Sequence, residues 1–477
     1  MVNLFASLGS AQAALRSLQD GIAVSQNNVA NASTPGYVKQ RATVEALPFQ
    51  PQSGLLGGVR SGPVQDFRSL SAERSVRSEL SAFGNFAQQA ATLSQVEGVL
   101  EISGEFGIPA SLNQLFNSFA ALSASPNNAV TRQGVLDAAT LLAGSFNRAG
   151  QELARVRSQT EAELAETVAT INAIAGRIRS FNESAMRNSS PDPGLEAGAF
   201  RDVEALSELA NIEVQVETNG ALTVLLGGQT PLVIGDHLNE IKLDYFVPPA
   251  PVNPGASPSA RILDAGGRDI TATISQGRLQ GLLQVHGEVL PSLDGDTQQE
   301  GSLNTLAKHL ADRVNEILSS GLVSEGPPPV AGVPLFSYDS GNNANIARSL
   351  AVDPAASAAT LAVISPGPPV IANGAALALA DLGSSTDPQD TIQGMTLREF
   401  YASAARGIGE RLNTAQGQQT RATLLVNQAR DLRQGISGVS LNEEAIHLTQ
   451  YQRGYEAAAQ IVQIIDEMLQ TILSLRR

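Results

Sequence analysis

Four histidines and a few acidic pairs are the only places where this 477-residue chain sets chemistry-bearing side chains at a telling spacing. Glu443 and His447 stand one helical turn apart, which would let them pair a proton or share a metal ion. Zinc takes three or four ligands, however, and this pair supplies two. His237, His286 and His309 complete no local set. Asp294 and Asp296 flank Gly295; a calcium loop needs more oxygens at regular spacing, so this segment reads as a solvated turn. There is no Gly-x-Ser-x-Gly elbow, no phosphate loop ending in Gly-Lys and no His followed directly by Glu. Phe49, Phe67, Phe83 and Phe86 read as core packing rather than as binding aromatics. The sequence therefore points away from an enzyme: no catalytic residue, metal ligand or cofactor is expected.

Composition narrows the class further. Acidic residues number 46 against 31 basic ones, a formal charge of −15, and the only lysines are Lys39, Lys242 and Lys308. Phosphate neutralisation needs clustered Lys and Arg, so nucleic-acid binding is not expected. Cysteine is absent, which excludes disulfides and thiolate metal sites. No cleavable signal is visible and no apolar run approaches the ~18 residues of a membrane span. A chain of this length exceeds one hydrophobic core, and about three domains are expected.

The informative pattern lies at the two ends. Leu4, Leu8, Ala11, Leu15, Leu18, Ile22, Ser25 and Val29 alternate spacings of three and four. Leu448, Tyr451, Tyr455, Ala458, Val462, Ile465, Leu469 and Ile472 repeat that alternation. Such spacing makes one apolar stripe along a helix, the seam of a coiled coil. Chain continuity predicts an out-and-back path that brings the two helices together, antiparallel. The stripes admit two readings, an ordinary buried pair within one chain or a surface completed by other subunits. The near absence of charge around residues 4–29 favours the second, because such a helix needs burial on several sides. Both helices are then expected to order on assembly.

Between the ends the period changes twice. Residues 68–187 carry helical stripes, and Asn188 to Gly194 reads as a break. Ile212, Val214 and Val216 alternate with polar residues; after Asn219-Gly220, Leu222, Val224 and Leu226 alternate again, predicting a hairpin with a two-residue turn. Further strands are expected at 231–234, 240–246, 261–264 and 269–274, one helix near 303–320, and helix again from about 395 to 433. The expected fold class is mainly α with a β-rich central domain (α+β, multidomain). Its expected divisions are a terminal coiled-coil domain (1–66 with 437–477), a helical bundle (67–190 with 391–436) and an outward β-rich domain (191–390).

Two strings carry a resemblance. The run Asn27 to Tyr37, with Asn28, Asn31, Thr34, Pro35, Gly36 and Tyr37, resembles the N-terminal signature of bacterial flagellar rod, hook and hook-associated proteins. Residues 437–445 and 451–459 resemble their C-terminal signature. Arg201–Gly228, Gly281–Leu322 and Thr396–Leu432 resemble the hook-associated branch, while other axial proteins (flagellin, rod, hook) and, more remotely, a secreted effector stay as alternatives. The resemblance implies terminal helices lining the inner tube of an axial polymer, built on Leu4, Leu8, Leu15, Leu18, Ile22, Val29, Leu448, Tyr451, Tyr455, Val462, Ile465, Leu469 and Ile472. It implies a structural role joining hook to filament, beside copies of the same chain, hook protein and a second junction protein, hook-associated protein 3. It also implies flagellar type III export without signal cleavage, a place at the distal end of the hook, and an export chaperone holding Leu448–Leu473, with Leu448, Tyr455, Val462 and Leu469 as its contacts.

Overall fold

The computed structural model describes residues 2–50, 55–100, 107–187, 192–247 and 257–474. Helix α1 (Val2–Ala30) leads into a ribbon of β1 (Gln40–Ala46), β2 (Phe49–Gln50), β3 (Leu55–Leu56) and β4 (Val59–Asp66), in which β1 pairs with β4 and β2 with β3. Helices α2 (Leu70–Leu100), α3 (Ile108–Ala124) and α4 (Ala129–Arg187) follow. The 59 residues of α4 span about 88 Å at 1.5 Å per residue. Next come α5 (Pro193–Leu209), then β5 (Ile212–Val216), β6 (Leu222–Leu226), β7 (Thr230–Ile234) and β8 (His237–Leu238), an antiparallel sheet in sequence order. A separate ladder joins β9 (Lys242–Phe246) to β10 (Ser259–Leu263). Then follow α6 (Gly277–Gln284), a π-helical turn at Val285–Val289, α7 (Leu290–Asp294), α8 (Ser302–Ser320), α9 (Ile346–Ser349) and α10 (Gly374–Asp381). The return is made by α11 (Leu397–Ser437) and α12 (Leu441–Ser474).

Local sequence accounts for the helix starts. Thr396 and Glu399 form a reciprocal capping box at α11, each side chain accepting from the other's backbone N–H. Asp192 caps α5, accepting from Gly194 N at 2.7 Å, with Pro193 in the first turn, where its missing N–H is harmless.

The return path is antiparallel to the outward one. Arg433 of α11 bonds Glu73 of α2 at 3.0 Å, and at the other end the Tyr401 hydroxyl donates to the Leu100 carbonyl. One hydrophobic core joins the later part of α2, α3, the first half of α4, α8, α10 and the start of α11. A second joins the later half of α4 to α5, the β5–β8 sheet, β10 and α6. A polar belt separates them on α4: Arg157 bonds Asp294 at 2.6 Å, Glu161 meets His286 at 3.2 Å and Glu163 accepts from Gln88 at 2.8 Å.

The fold class is as read from sequence, mainly α with a β-rich centre and antiparallel terminal helices. Several details differ. The β5–β6 register pairs Val214 with Val224, but the connection has three residues, Thr218 to Gly220, and only Gly220 takes positive φ. The stretch 269–274 is not a strand: Asp269 makes a single bridge to Leu263 and then turns its carboxylate onto the N–H and hydroxyl of Thr271, and Thr271–Thr273 form a 3-10 turn. Among its described residues the 191–390 region holds six α-helices, α5 to α10, rather than one, and its part after residue 284 shares the core of the helical bundle. Asp294 is no solvated turn residue, since Arg157 draws it inside. Phe49 is 71% exposed on the ribbon and Phe67 is also exposed, so neither is core; Lys39 lies 5.5 Å over the Phe67 ring. Of the Asn188 to Gly194 break, residues 188–191 lie outside the described set.

Candidate assembly interface

The terminal stripes face one another. Tyr451 lies across Gly21, where an added Cβ would stand 2.9 Å from the ring, and Leu18 lies across Gly454. Each helix thus presents a large side chain to a glycine of the other, and the backbones approach closely. The buried line on α1 is made of small side chains, Ala11, Ser17, Gly21, Ser25 and Asn28. The expected leucines Leu8, Leu15 and Leu18, with Ile22, flank it half-buried, and Val29 is exposed because Asn28 takes the inner position. On α12, Ala458 and Ile465 are buried, Leu448, Tyr451, Tyr455, Val462 and Leu469 are half-buried, and Ile472 is exposed. The side chain of Leu4 lies outside the described set.

A second face stays uncovered. Ile461, Ile464 and Met468 are spaced three and four apart, so they form a stripe on α12 that α1 does not cover. Ile446 and, on α1, Phe5 are exposed as well.

Asn28 ties the pair to the ribbon. It is 1% exposed, and its amide reaches three elements. Nδ2 donates to the Gln40 carbonyl (2.8 Å) and to Glu444 Oε1 (3.0 Å), while Oδ1 accepts from Gln40 N (3.0 Å) and the Tyr37 hydroxyl (2.9 Å). The amide is fully satisfied, as a buried polar group must be. Burial, reinforced by the charge of Glu444, pushes the Tyr37 phenol up to about 12, so it stays a donor at any physiological pH. Asn31 is held by Asn27, and Thr34 donates to Asn31 at 3.1 Å.

The turn does more than stop α1. Gly36 has φ +82°, and a Cβ there would stand 2.3 Å from the Ala197 carbonyl oxygen of α5. Only glycine meets both demands. Arg68 donates to the Gly36 carbonyl (3.1 Å), to Glu73 (2.9 Å) and to Glu196 (3.2 Å), with its guanidinium 3.6 Å over the Phe200 ring. Glu73 also accepts from Arg433, which reaches Glu204 at 2.9 Å; Arg430 bonds Glu204 at 2.7 Å. Burial raises the Glu196 carboxyl despite Arg68. Burial acts the same way on Glu204, but its two arginines prevail and hold it below the ordinary carboxylate range. A chain of charges thus clamps the ribbon, α2, α5 and α11 where they meet the turn. None of these charged residues is legible in the sequence as a site, because partners such as Glu73 and Arg433 are remote in the chain. Glu443 bonds Lys39 (3.4 Å) and His447 stacks on Tyr451, so the one acid–imidazole spacing serves packing. Among the described residues no three potential metal ligands converge, and no helix is long and apolar enough to cross a membrane.

Comparison with known proteins fits this arrangement at both levels. Residues 93–336 match the model of the flagellar hook-associated protein FlgK helical domain, and 434–475 match the C-terminal model of the flagellar basal body rod FlgEFG proteins. The chain belongs to the FlgK family of flagellar hook-associated proteins. Flagellar hook-associated protein 1 of Bacillus subtilis is 26% identical, with 99% of each chain covered. The same-named proteins of Salmonella typhimurium and Escherichia coli are 22% and 21% identical, at 98% and 99% coverage of each chain. The flagellar hook junction protein FlgK from Burkholderia pseudomallei shares the fold, with a TM-score of 0.62 over 76% of this chain and 100% of that one, at 16% identity. As a member of this family the chain is a structural component of the flagellum.

Proposed function

We propose that this chain joins the hook to the filament, polymerising through its paired terminal helices. The observation that carries the reading is the stripe Ile461, Ile464 and Met468, apolar and uncovered although α1 already lies along the other face of α12. A helix apolar on two sides calls for more than one partner helix. Residues 1–66 and 437–477 then form the inner layer, with Leu4, Leu8, Leu15, Leu18, Ile22, Val29, Leu448, Tyr451, Tyr455, Val462, Ile465, Leu469 and Ile472 packing within it. The β1–β4 ribbon, with exposed Val44, Phe49 and Val64, adds a surface that gains from a neighbour, since a lone two-stranded ribbon is marginal in water. The neighbours are copies of the chain, hook protein and hook-associated protein 3.

Before assembly the same helices need protection. The chain leaves the cell through the flagellar type III apparatus, with a chaperone gripping Leu448, Tyr455, Val462 and Leu469 in a groove as α1 would. Chaperone binding is expected to vanish on truncation near residue 435; undiminished binding contradicts this part. Immunogold labelling of intact flagella tests the whole. A narrow band at the distal end of the hook is expected, together with free hooks and filament protein lost to the medium in a deletion strain. Label along the filament, or absent hooks on deletion, overturns the reading.

A further inference from the structure

Two strand edges in this fold lack a neighbouring strand. In the β5–β6 hairpin Gly227 N donates to the Asn211 carbonyl (2.9 Å) and Glu217 N to the Ala221 carbonyl (2.8 Å). Antiparallel strands alternate the direction of their hydrogen bonds, so this register turns residues 211, 213, 215 and 217 toward β6. The backbone N–H and carbonyl groups of Ile212, Val214 and Val216 face the other way, and β5 is the outer strand of its sheet. They have no backbone partner among the described residues. The ribbon repeats the pattern. Phe67 N donates to the Lys39 carbonyl (3.0 Å) and Leu47 N to the Gly58 carbonyl (2.9 Å), which turns residues 39, 41, 45 and 47 toward β4. Gln40 faces outward and is taken by Asn28. Beyond it the backbone groups of Ala42, Val44 and Ala46 face outward with no backbone partner among the described residues.

A cleft of about 500 Å³ lies between the start of the β5 edge and α2. Two buried polar atoms in its lining lack partners, Ser81 Oγ and Gln276 Oε1. One needs an acceptor and the other a donor, which a peptide backbone supplies together. An open edge is a template for another strand, and an unmet buried polar group is costly. We propose that β1 of a second copy of the chain adds to the β5 edge, laid between β5 and α2. The page of contacts within one chain leaves both edges free for this: the ribbon folds back along α1, where Ser61 bonds Asp20 at 2.7 Å, while β5 stands beside α2. Each edge offers three outward residues at the same spacing of two. β1 contains no proline, whereas Pro63 interrupts β4. A two-stranded ribbon is marginal alone and gains from a third strand. The charges are mixed on both sides, Arg74 and Arg77 with Glu79 and Glu213 around the cleft, Arg41 with Glu45 on β1. Such a lining suits a strand of mixed charge better than a simple anion.

The inference rests on the reading that copies of the chain pack side by side in the flagellum. The test places a photo-crosslinking amino acid at Gln215, exposed on β5, in the full chain expressed in a motile strain. Irradiated flagella should yield an adduct of twice the chain mass, its linked peptide containing β1. A second arm uses Val44→Pro and Val216→Pro. Both residues are exposed and both N–H groups face outward, so each proline removes an edge donor and no bond of its own ladder. Melting of the isolated variants should stay within a few degrees of wild type, while incorporation into flagella should fall about tenfold. Val44→Thr and Val216→Thr keep the N–H and should incorporate normally. An adduct with any other segment or protein, no adduct, normal incorporation of both proline variants, or an equal loss with threonine overturns the strand pairing and leaves the junction reading intact. Should the chain labelled at Gln215 be missing from flagella that accept wild type at the hook end, the proline and threonine variants decide. A wild-type chain absent from the hook end overturns the junction reading, and the pairing with it.

Discussion

Asn28 concentrates the physics of the terminal region in one amide. Removing it leaves Gln40 N, the Gln40 carbonyl, the Tyr37 hydroxyl and Glu444 without their shared partner. Each orphaned buried group costs about 1–3 kcal/mol. Asn28→Ala is therefore expected to loosen the α1–α12 pair by about 3 kcal/mol while sparing the two cores, seen as faster hydrogen exchange confined to α1, β1 and α12. Uniform protection would contradict the hub. His286 offers a pH-dependent counterpart in the polar belt. It is 1% exposed, with Nδ1 unpartnered and Nε2 on Glu161. Burial lowers its pKa, with Arg157 adding, while Glu161 and Asp294 oppose. The folded state then binds fewer protons than the unfolded one below about pH 6.5, so stability falls as pH drops through that value, by up to about 1.4 kcal/mol per pH unit. His286→Gln should flatten this part of the profile in urea melts between pH 7.5 and 5; an unchanged slope would refute the assignment.

At the scale of elements, glycines set how closely the pieces approach. Gly36→Ala meets both the Ala197 carbonyl and a left-handed φ, and is expected to cost on the order of 2–4 kcal/mol. Gly21→Ala meets only the Tyr451 ring, which can shift, so a smaller loss of about 1 kcal/mol is expected in thermal melts. Equal effects would mean that the turn is not seated on α5 as described. These elements differ in how legible they are in sequence. Periods of 3.6 and 2 are local signals, so the terminal stripes, α4, α8 and the existence of the β5–β6 hairpin can be read directly, whereas its register, Val214 against Val224, is one residue away from the one a two-residue Asn219-Gly220 turn would set. The start of α5 reads as a break because Asp192, Pro193 and Gly194 are turn formers, although Asp192 and Pro193 also make a good helix start. The joint is illegible for another reason. Arg68, Glu73, Glu196, Glu204 and Arg433 each carry an ordinary surface charge until tertiary contacts bring them together.

At the scale of the molecule, the cores and the termini are separable. Among the described residues, none in the buried core clusters comes from α1, the β1–β4 ribbon or α12. Stability of the body thus rests on α2–α11, while the terminal helices hold through one seam, the Asn28 hub and the charged joint. Helices of this length are marginal alone in water, and most of their stability must come from packing. The division suits a component that travels with its ends unpacked and sets them only on arrival. A chain lacking residues 1–36 and 438–477 is accordingly expected to keep the melting temperature of the full chain within a few degrees, since none of the described residues of the excised segments belongs to either core. The same chain should fail to appear on isolated flagella. If the truncated chain instead unfolds, the terminal helices are part of the body's cooperative unit, and ordering on assembly is ruled out. If it folds and still seats at the hook end, the body alone carries the assembly surface and the terminal seam does not drive it.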